Sequence, residues 1–363
     1  FTNLNRNTKI ENLNIKNFNI DSSENDLDVG ICGWGSLYSM KNINIEGYTA
    51  KTDNNANKKV GSIIANSLRG KLENITISDV KITANNKQYL KLGGVIGEGS
   101  ADINNLVLEN LLIDCKDNIE SYVGGIIGMG NNGNNNCVQK NIIVNGKIIS
   151  QSDYVGGAFG HAYANLEKSL INVNIIADGD FVGGIAGLSK VGSTNYNCNL
   201  YKGNIINKKD TKYIGYILGN EEIETSNFIA ENCSINGIKN SNIKKLSFNQ
   251  LEMEETYLKI LKWDDNYSYK DLNNKLPKLK NIEKTELLPN QVDILLKEEN
   301  VSLKEVNTLK TDSNTLNIRL SINNPDSLEI NQIEIENMEL KIVENRTQSG
   351  VTYINLIAKP TKY

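Results

Sequence analysis

Apolar and polar residues alternate over much of the first 240 positions. The pattern reads KIENLNIKNFNI at 9–20, MKNINIEGYTA at 40–50 and KLENITISDVKI at 71–82, then INNLVLENLLI at 103–113 and VQKNIIVNGKII at 138–149. A period of two, not 3.6, is the signature of a half-buried strand. Val, Ile and Leu face one way; Asn, Lys, Glu and Thr face the other. Each stretch has room for two short strands.

Between these stretches a second pattern returns. SYVGGIIGMG occupies 121–130, DYVGGAFGHA 153–162 and DFVGGIAGLS 180–189. The first glycine of each copy falls at Gly61, Gly93, Gly124, Gly156, Gly183 and Gly215, with a degenerate copy at Gly30 in DVGICGWG. Successive steps are therefore 31, 32, 31, 32, 27 and 32 residues. Self-similarity at such a period marks a solenoid or an array. The Gly-Gly segment supplies a third strand, so the repeat predicts an all-β chain: a right-handed parallel β-helix of about 31 residues per coil. Seven or eight coils at the ordinary strand spacing make a rod roughly 30–40 Å long. One coil cannot bury its own apolar face, so the stack supplies the stability. The pairs between the glycines, such as Ile126-Ile127 and Ile185-Ala186, are expected to form ladders inside it. The glycines are expected where the chain bends and coils come close. Tyr122, Tyr154, Phe181 and Tyr213 are expected to stack on one another. The many asparagines suit turns, where they tolerate left-handed angles.

The repeat gives a domain of residues 1–242. Residues 243–285 change texture, with Trp263, several tyrosines and Pro277. An open final coil would expose strand edges, so this segment is expected to cap it. From 286 to 363 alternation resumes, with turn signals NNPDS and NRTQSG, and predicts a small antiparallel β-sandwich-like module after a short linker near Pro289.

Composition narrows the function classes. A net charge of −4 with no basic stripe argues against nucleic acid. No apolar run reaches the ~18 residues of a membrane span. The abundance of Asn, Lys and Ile suggests an AT-rich bacterial genome. The chain opens on FTNLNRNTKI without Met or signal peptide, and reads as a fragment of something longer. Cys32, Cys115, Cys137, Cys198 and Cys233 are widely spaced, and no C-x-x-C occurs, so zinc-ribbon and thioredoxin readings fail. They are expected to serve as small core residues, with a disulfide between neighbouring repeats left open.

Candidate chemistry is sparse. His161 is the single histidine and reads as an ordinary turn or groove residue. H-E-x-x-H and G-x-S-x-G are absent. Dinucleotide binding needs a helix after the glycines, and the calcium-binding nonapeptide needs Asp where apolar residues stand. Polysaccharide cleavage needs converging carboxylates. Asp178 with Asp180, and Asp264 with Asp265, are the candidates, each more easily read as a turn. Arg69 is the one arginine of four well within the repeats. No catalytic, cofactor-binding or metal-ligating residue is assigned.

YVGGIIG, YVGGAFG and FVGGIAG resemble the GLUG motif of bacterial surface proteins. IENLNIKNFNI, INNLVLENLLI and the ending INQIEIENMELKI…TYINLIAKPTKY resemble the N-terminal region of Gram-positive zinc metallopeptidases of the immunoglobulin A protease type. The likeness covers nearly the whole chain. It implies a secreted or cell wall-attached bacterial protein whose zinc peptidase domain lies farther toward the C-terminus, outside this chain. The chain would then be a non-catalytic scaffold or substrate-binding region that positions the peptidase and grips a host glycoprotein such as an immunoglobulin. An adhesin segment and a polysaccharide-active β-helix enzyme are the alternatives. A flat side of the rod, or loops such as MGNNGNNNC at 129–137, would carry any binding surface.

Overall fold

A computed structural model of the chain describes residues 3–280 apart from 24–27, 54–57, 86–88, 116–119, 132–136, 190–194, 221–225, 238–241, 265, 270–271 and 273–274; beyond 280 it describes six strands. Two compact units emerge, Phe1–Thr285 and Glu286–Tyr363.

The first unit is a parallel β-solenoid of about six turns, with equivalent residues roughly 31 apart. Its interior is a set of vertical columns. Ile45, Ile77, Leu108, Val144, Ile171, Tyr201 and Ile229 stand over one another in successive coils, all fully buried. Burying one such side chain is worth about 1.5–3 kcal/mol, and the stack repeats it at every rung. The degenerate copy at Gly30 meets the Gly-Gly sheet by a single bridge from Val29 to Val60, while its Cys32–Ser36 strand pairs with Ile64–Leu68, and six Gly-Gly strands form a sheet of their own.

In two coils the stretch after the motif runs on as one strand, Ile64–Ala84 and Ile96–Cys115, and in the others it is divided into shorter strands. Residues Ile96–Cys115 form one strand, hydrogen-bonded through its corners. Single left-handed residues make those corners. Asn12, Asn42, Asn74, Asn105 and Asn141 hold φ of 57, 55, 54, 60 and 55°. From Asn42 onward each amide donates to the Oδ1 of the asparagine one coil earlier, at 2.9, 3.1, 3.0 and 3.3 Å. Lys168 and Cys198 continue the corner, with φ of 48 and 57°. A second corner runs through Asn17, Gly47, Asp79 and Asn110, where Asn110 donates to Asp79 Oδ1 at 2.9 Å. Asparagine suits both duties, because its short amide tolerates the left-handed region and bonds along the axis.

The motif glycines sit, as expected, where backbones come close. Only Gly47, Gly99 and Gly237 among the described glycines are left-handed. At the motif, backbones touch: a Cβ on Gly93 would stand 1.9 Å from the Ile96 carbonyl oxygen, and one on Gly124 2.2 Å from that of Ile127. Absence of a side chain, rather than freedom of φ, is what the corner requires.

The segment after the repeats covers more than the end. Lys244–Leu246 adds one parallel rung to Phe228–Ala230. A short helix, Phe248–Leu251, starts at a Ser247–Gln250 capping box and is followed by a π-turn, Thr256–Ile260. The chain then returns along the flank. Trp263 Nε1 donates to the Cys198 carbonyl at 2.7 Å, Tyr267 donates its hydroxyl to the Lys168 carbonyl, and Lys168 Nζ donates to Asp264 Oδ2 at 3.0 Å. The strap grips the same corner column in two adjacent coils.

In the second unit four antiparallel strands lie in the order Ser302–Lys310, Leu316–Asn323, Val351–Pro360, Met338–Gln348, and Ile294–Leu296 pairs antiparallel with Ile333–Ile335. The predicted turn NRTQSG is narrower than its sequence suggests. Asn345, Arg346, Thr347 and Gln348 pair with Ile354, Tyr353, Thr352 and Val351, because strand pairing continues to the tightest hairpin the chain can make. Residues 324–330, which hold most of NNPDS, and Pro289 lie outside the described residues.

Candidate functional site

The Gly-Gly sheet presents an unusual outer column. Its strands include Lys58–Val60, Leu90–Gly93, Tyr122–Gly124, Tyr154–Gly156 and Phe181–Gly183. In each, the residue before the first glycine is buried and the one before that is half-exposed. At this outward position stand Lys59, Lys91, Tyr122, Tyr154, Phe181 and Tyr213.

The four aromatics form a continuous stack, as expected. Centroids lie 4.5 Å apart for Tyr122–Tyr154, 5.1 Å for Tyr154–Phe181 and 4.5 Å for Phe181–Tyr213, with interplanar angles of 8, 13 and 17°. Tyr89 closes one end edge-on to Tyr122 at 5.5 Å. Lys212 Nζ lies 4.9 Å over the Tyr213 ring at the other. Burial pushes the Tyr122 and Tyr154 phenols up, and neighbouring phenols and carboxylates push the same way.

His161 belongs to this surface and is not in a turn. It lies in the strand Phe159–Ala162, in a column between Met129 and Leu188. Its ring is 5.7 Å from Tyr122 and 4.4 Å from Tyr163. No local pattern announces that His161 joins the ladder, since the two columns are brought together only by the corner at Gly156-Gly157. In the earlier coils ions replace the rings. Lys59 bridges Asp28 at 3.9 Å and Glu98 at 3.3 Å, and Lys91 also pairs with Glu98. Burial pushes the Asp28 carboxyl up, against the pull of the Lys59 backbone N–H and ammonium.

The carboxylate candidates are scattered. Asp178 is exposed and Asp180 pairs with Lys209 at 2.7 Å. Asp264 serves the strap. Burial works against its ionisation, but hydrogen bonds from Lys168 and Asn266 outweigh that and hold its carboxyl below the usual range. Asp265 lies outside the described residues, as do residues 132–136 of the asparagine-rich loop. Arg69 is an exposed corner residue at φ 56°. All five cysteines are free, and all but Cys198 are buried. Cys115 stacks between Ala84 and Ser150 in a column of small residues.

A cavity of about 120 Å³ opens beside Cys115, Ile149, Ile176, Asp178 and Lys208, well below the few hundred Å³ of a typical small-molecule site. Among the described residues no group of three or more His, Cys, Asp and Glu is placed to hold a metal ion, and no helix is long and apolar enough to cross a membrane. Comparison with protein families, with curated proteins and with solved structures finds no match.

Proposed function

We propose that this chain is a non-catalytic rod of a secreted or wall-attached bacterial protein, and that its aromatic ladder is the face that meets a host glycoprotein. One observation carries the reading. The ladder position is not reserved by the fold, since Lys59 and Lys91 occupy it in earlier coils. The run of rings from Tyr122 to Tyr213 is therefore a property of the surface, placed where the solenoid makes no demand for it. Aromatic side chains are the usual anchors of protein interfaces.

The resemblance to the metallopeptidases of the immunoglobulin A protease type supports a role in positioning a zinc peptidase domain and gripping its substrate. An adhesin would use the same surface without a peptidase, and H-E-x-x-H in the downstream gene separates the two. A polysaccharide-active enzyme has less support. Sugars stack on open ring faces, and here the faces of Tyr154 and Phe181 are turned on their neighbours.

Binding of the purified chain to an immobilised panel of immunoglobulins and other glycoproteins tests the reading. The expected result is saturable binding without cleavage, lost in a Tyr122→Ser, Tyr154→Ser double variant of unchanged circular dichroism. Binding that ignores the double substitution removes the ladder from the proposal. Cleavage by the chain alone removes the proposal itself.

A further inference from the structure

The aromatic ladder is served by cations at its two ends and by none in its middle. At the first end Lys91 Nζ lies 5.1 Å over the Tyr89 ring and pairs with Glu98. At the other, Lys212 Nζ lies over the Tyr213 ring, and Lys209 Nζ pairs with Asp180, the residue before Phe181. The terminal rings thus each hold an ammonium group against a π-face, which attracts cations. Lys209 shows what this border does to a positive charge. Its hydrogen bond to Asp180 pushes its ammonium up, and the charges of Asp153 and Asp178 add to the effect.

The middle of the ladder has rings and carboxylates alone. Asp153 directly precedes Tyr154, and Glu120 stands two residues before Tyr122. The Glu120 backbone N–H donates to Asp153 Oδ2 at 3.0 Å, which ties the two acidic residues together across neighbouring coils. Glu120 is exposed and Asp153 half-exposed. Both face the phenols. Burial comes first in raising the Tyr154 hydroxyl, and Asp153, Asp180 and Glu120 add to it; Asp153 acts on Tyr122 in the same sense. Among the described residues no lysine or arginine forms an ion pair with Glu120 or Asp153.

We propose that this stretch, Tyr122 and Tyr154 with Glu120 and Asp153, receives an arginine side chain from an extended stretch of the partner's polypeptide. The inference deepens the reading of the ladder as the partner-binding face and rests on it. Guanidinium fits better than ammonium. Its planar fork donates to the two tied carboxylates at once, and its remaining N–H groups reach the phenol oxygens beside them. The half-exposed rings keep water from one side of the pair, so the contact exceeds an open surface ion pair. A partner segment bearing Asp or Glu meets like charge at the same place and is turned away.

The probes are labelled glycine–serine peptides that carry arginine, lysine, glutamine or glutamate at the same spaced positions. Each is titrated into the full chain by fluorescence anisotropy at low salt. The arginine peptide is expected to bind best, the lysine peptide about threefold more weakly, and the glutamate peptide not at all. Glu120→Gln with Asp153→Asn is expected to weaken arginine-peptide binding about tenfold with unchanged circular dichroism, since an asparagine oxygen still accepts the backbone N–H of residue 120. Glu46→Gln with Glu109→Gln removes the same charge from exposed positions on the other sheet and is expected to change nothing. Equal losses in the two double variants, or a glutamine peptide that binds as well as the arginine one, overturn the proposal. The glycoprotein panel keeps the two readings apart. Binding that needs the rings but ignores Glu120→Gln with Asp153→Asn overturns the arginine inference and leaves the ladder as the binding face. Binding that ignores Tyr122→Ser with Tyr154→Ser removes that face itself.

Discussion

Asn105 donates its side-chain amide to Asn74 Oδ1 at 3.0 Å, and both residues sit in the left-handed region, at φ of 60 and 54°. The pair joins the two demands of a solenoid corner: a backbone angle that most residues resist, and a polar bond that runs from coil to coil.

Asn74 lies mid-ladder, so its replacement separates these demands. Asn74→Ala forfeits two amide bonds and places a Cβ-bearing residue at positive φ without local compensation. Together these cost about 2–3 kcal/mol. Asn74→Gly keeps the angle and loses the bonds, for about half that. Urea unfolding of the two variants is the check: equal losses would mean that the left-handed angle costs alanine nothing, and no loss in Asn74→Gly would mean that the amide ladder contributes nothing.

Gly124 is expected to be the less tolerant kind of position. In Gly124→Ala the new carbon meets the Ile127 carbonyl oxygen at 2.2 Å and the Ala158 carbonyl oxygen at 2.7 Å. Backbone of two coils has to move, at a cost of about 3 kcal/mol or more. By contrast Gly237→Ala meets nothing within 4 Å and carries only the penalty of its φ of +79°, about 1–2 kcal/mol. A thermal midpoint for Gly124→Ala at or above that of Gly237→Ala would contradict the close-contact reading.

The strap depends on two hydrogen bonds to corner carbonyls. Trp263→Phe keeps the ring and removes the N–H that reaches the Cys198 carbonyl, for a loss of about 1 kcal/mol. Amide exchange is expected to quicken in residues 257–269 and to stay unchanged at the Gly-Gly sheet. Uniform quickening would show that the strap and the solenoid open as one unit.

Alkaline pH is expected to unfold the chain early. Burial pushes the Cys32 thiol from 9.0 up to about 11 and raises the Tyr38, Tyr48 and Tyr267 phenols beyond their ordinary value of 10.0. These groups stay protonated in the fold while the unfolded chain ionises at the ordinary values. Their contribution is therefore whole below about pH 9 and is lost as the pH climbs through the raised values. The urea midpoint is expected to fall between pH 8 and pH 10.5, and an unchanged midpoint would refute the assignment.

Thiol labelling tests the interior directly. At pH 8 the half-buried Cys198 is expected to react with iodoacetamide first. Cys115, enclosed in its column of small residues, is expected to react only as fast as the solenoid opens. Mass spectrometry of quenched samples reads the order, and a fast Cys115 would place it outside the core.

Much of this fold is legible in the sequence, because a solenoid writes its tertiary structure as a period. Glycines 31 or 32 residues apart, and the aromatics two positions ahead of them, announce both the stacking and the ladder from Tyr122 to Tyr213. The corners are harder to read. An asparagine inside ENLNI looks like any polar residue of an alternating strand, and its left-handed angle becomes necessary only when the coil must close. For the same reason the asparagine content looks first like a codon bias, although the ladder from Asn12 to Asn141 gives it a structural use. The reach of Tyr267 to the Lys168 carbonyl spans 99 positions, and no local pattern encodes it. His161 was likewise hidden, since its neighbours come from strands on either side of a Gly-Gly corner.

The rungs of the solenoid are bonded along its axis, and this fixes how it yields to a pull. Tension applied between the first and last coils loads one ladder at a time instead of shearing many together. Each coil that peels away releases about 31 residues, or about 100 Å of extended chain. Under load such a rod is expected to pay out in near-equal lengths, one coil at a time.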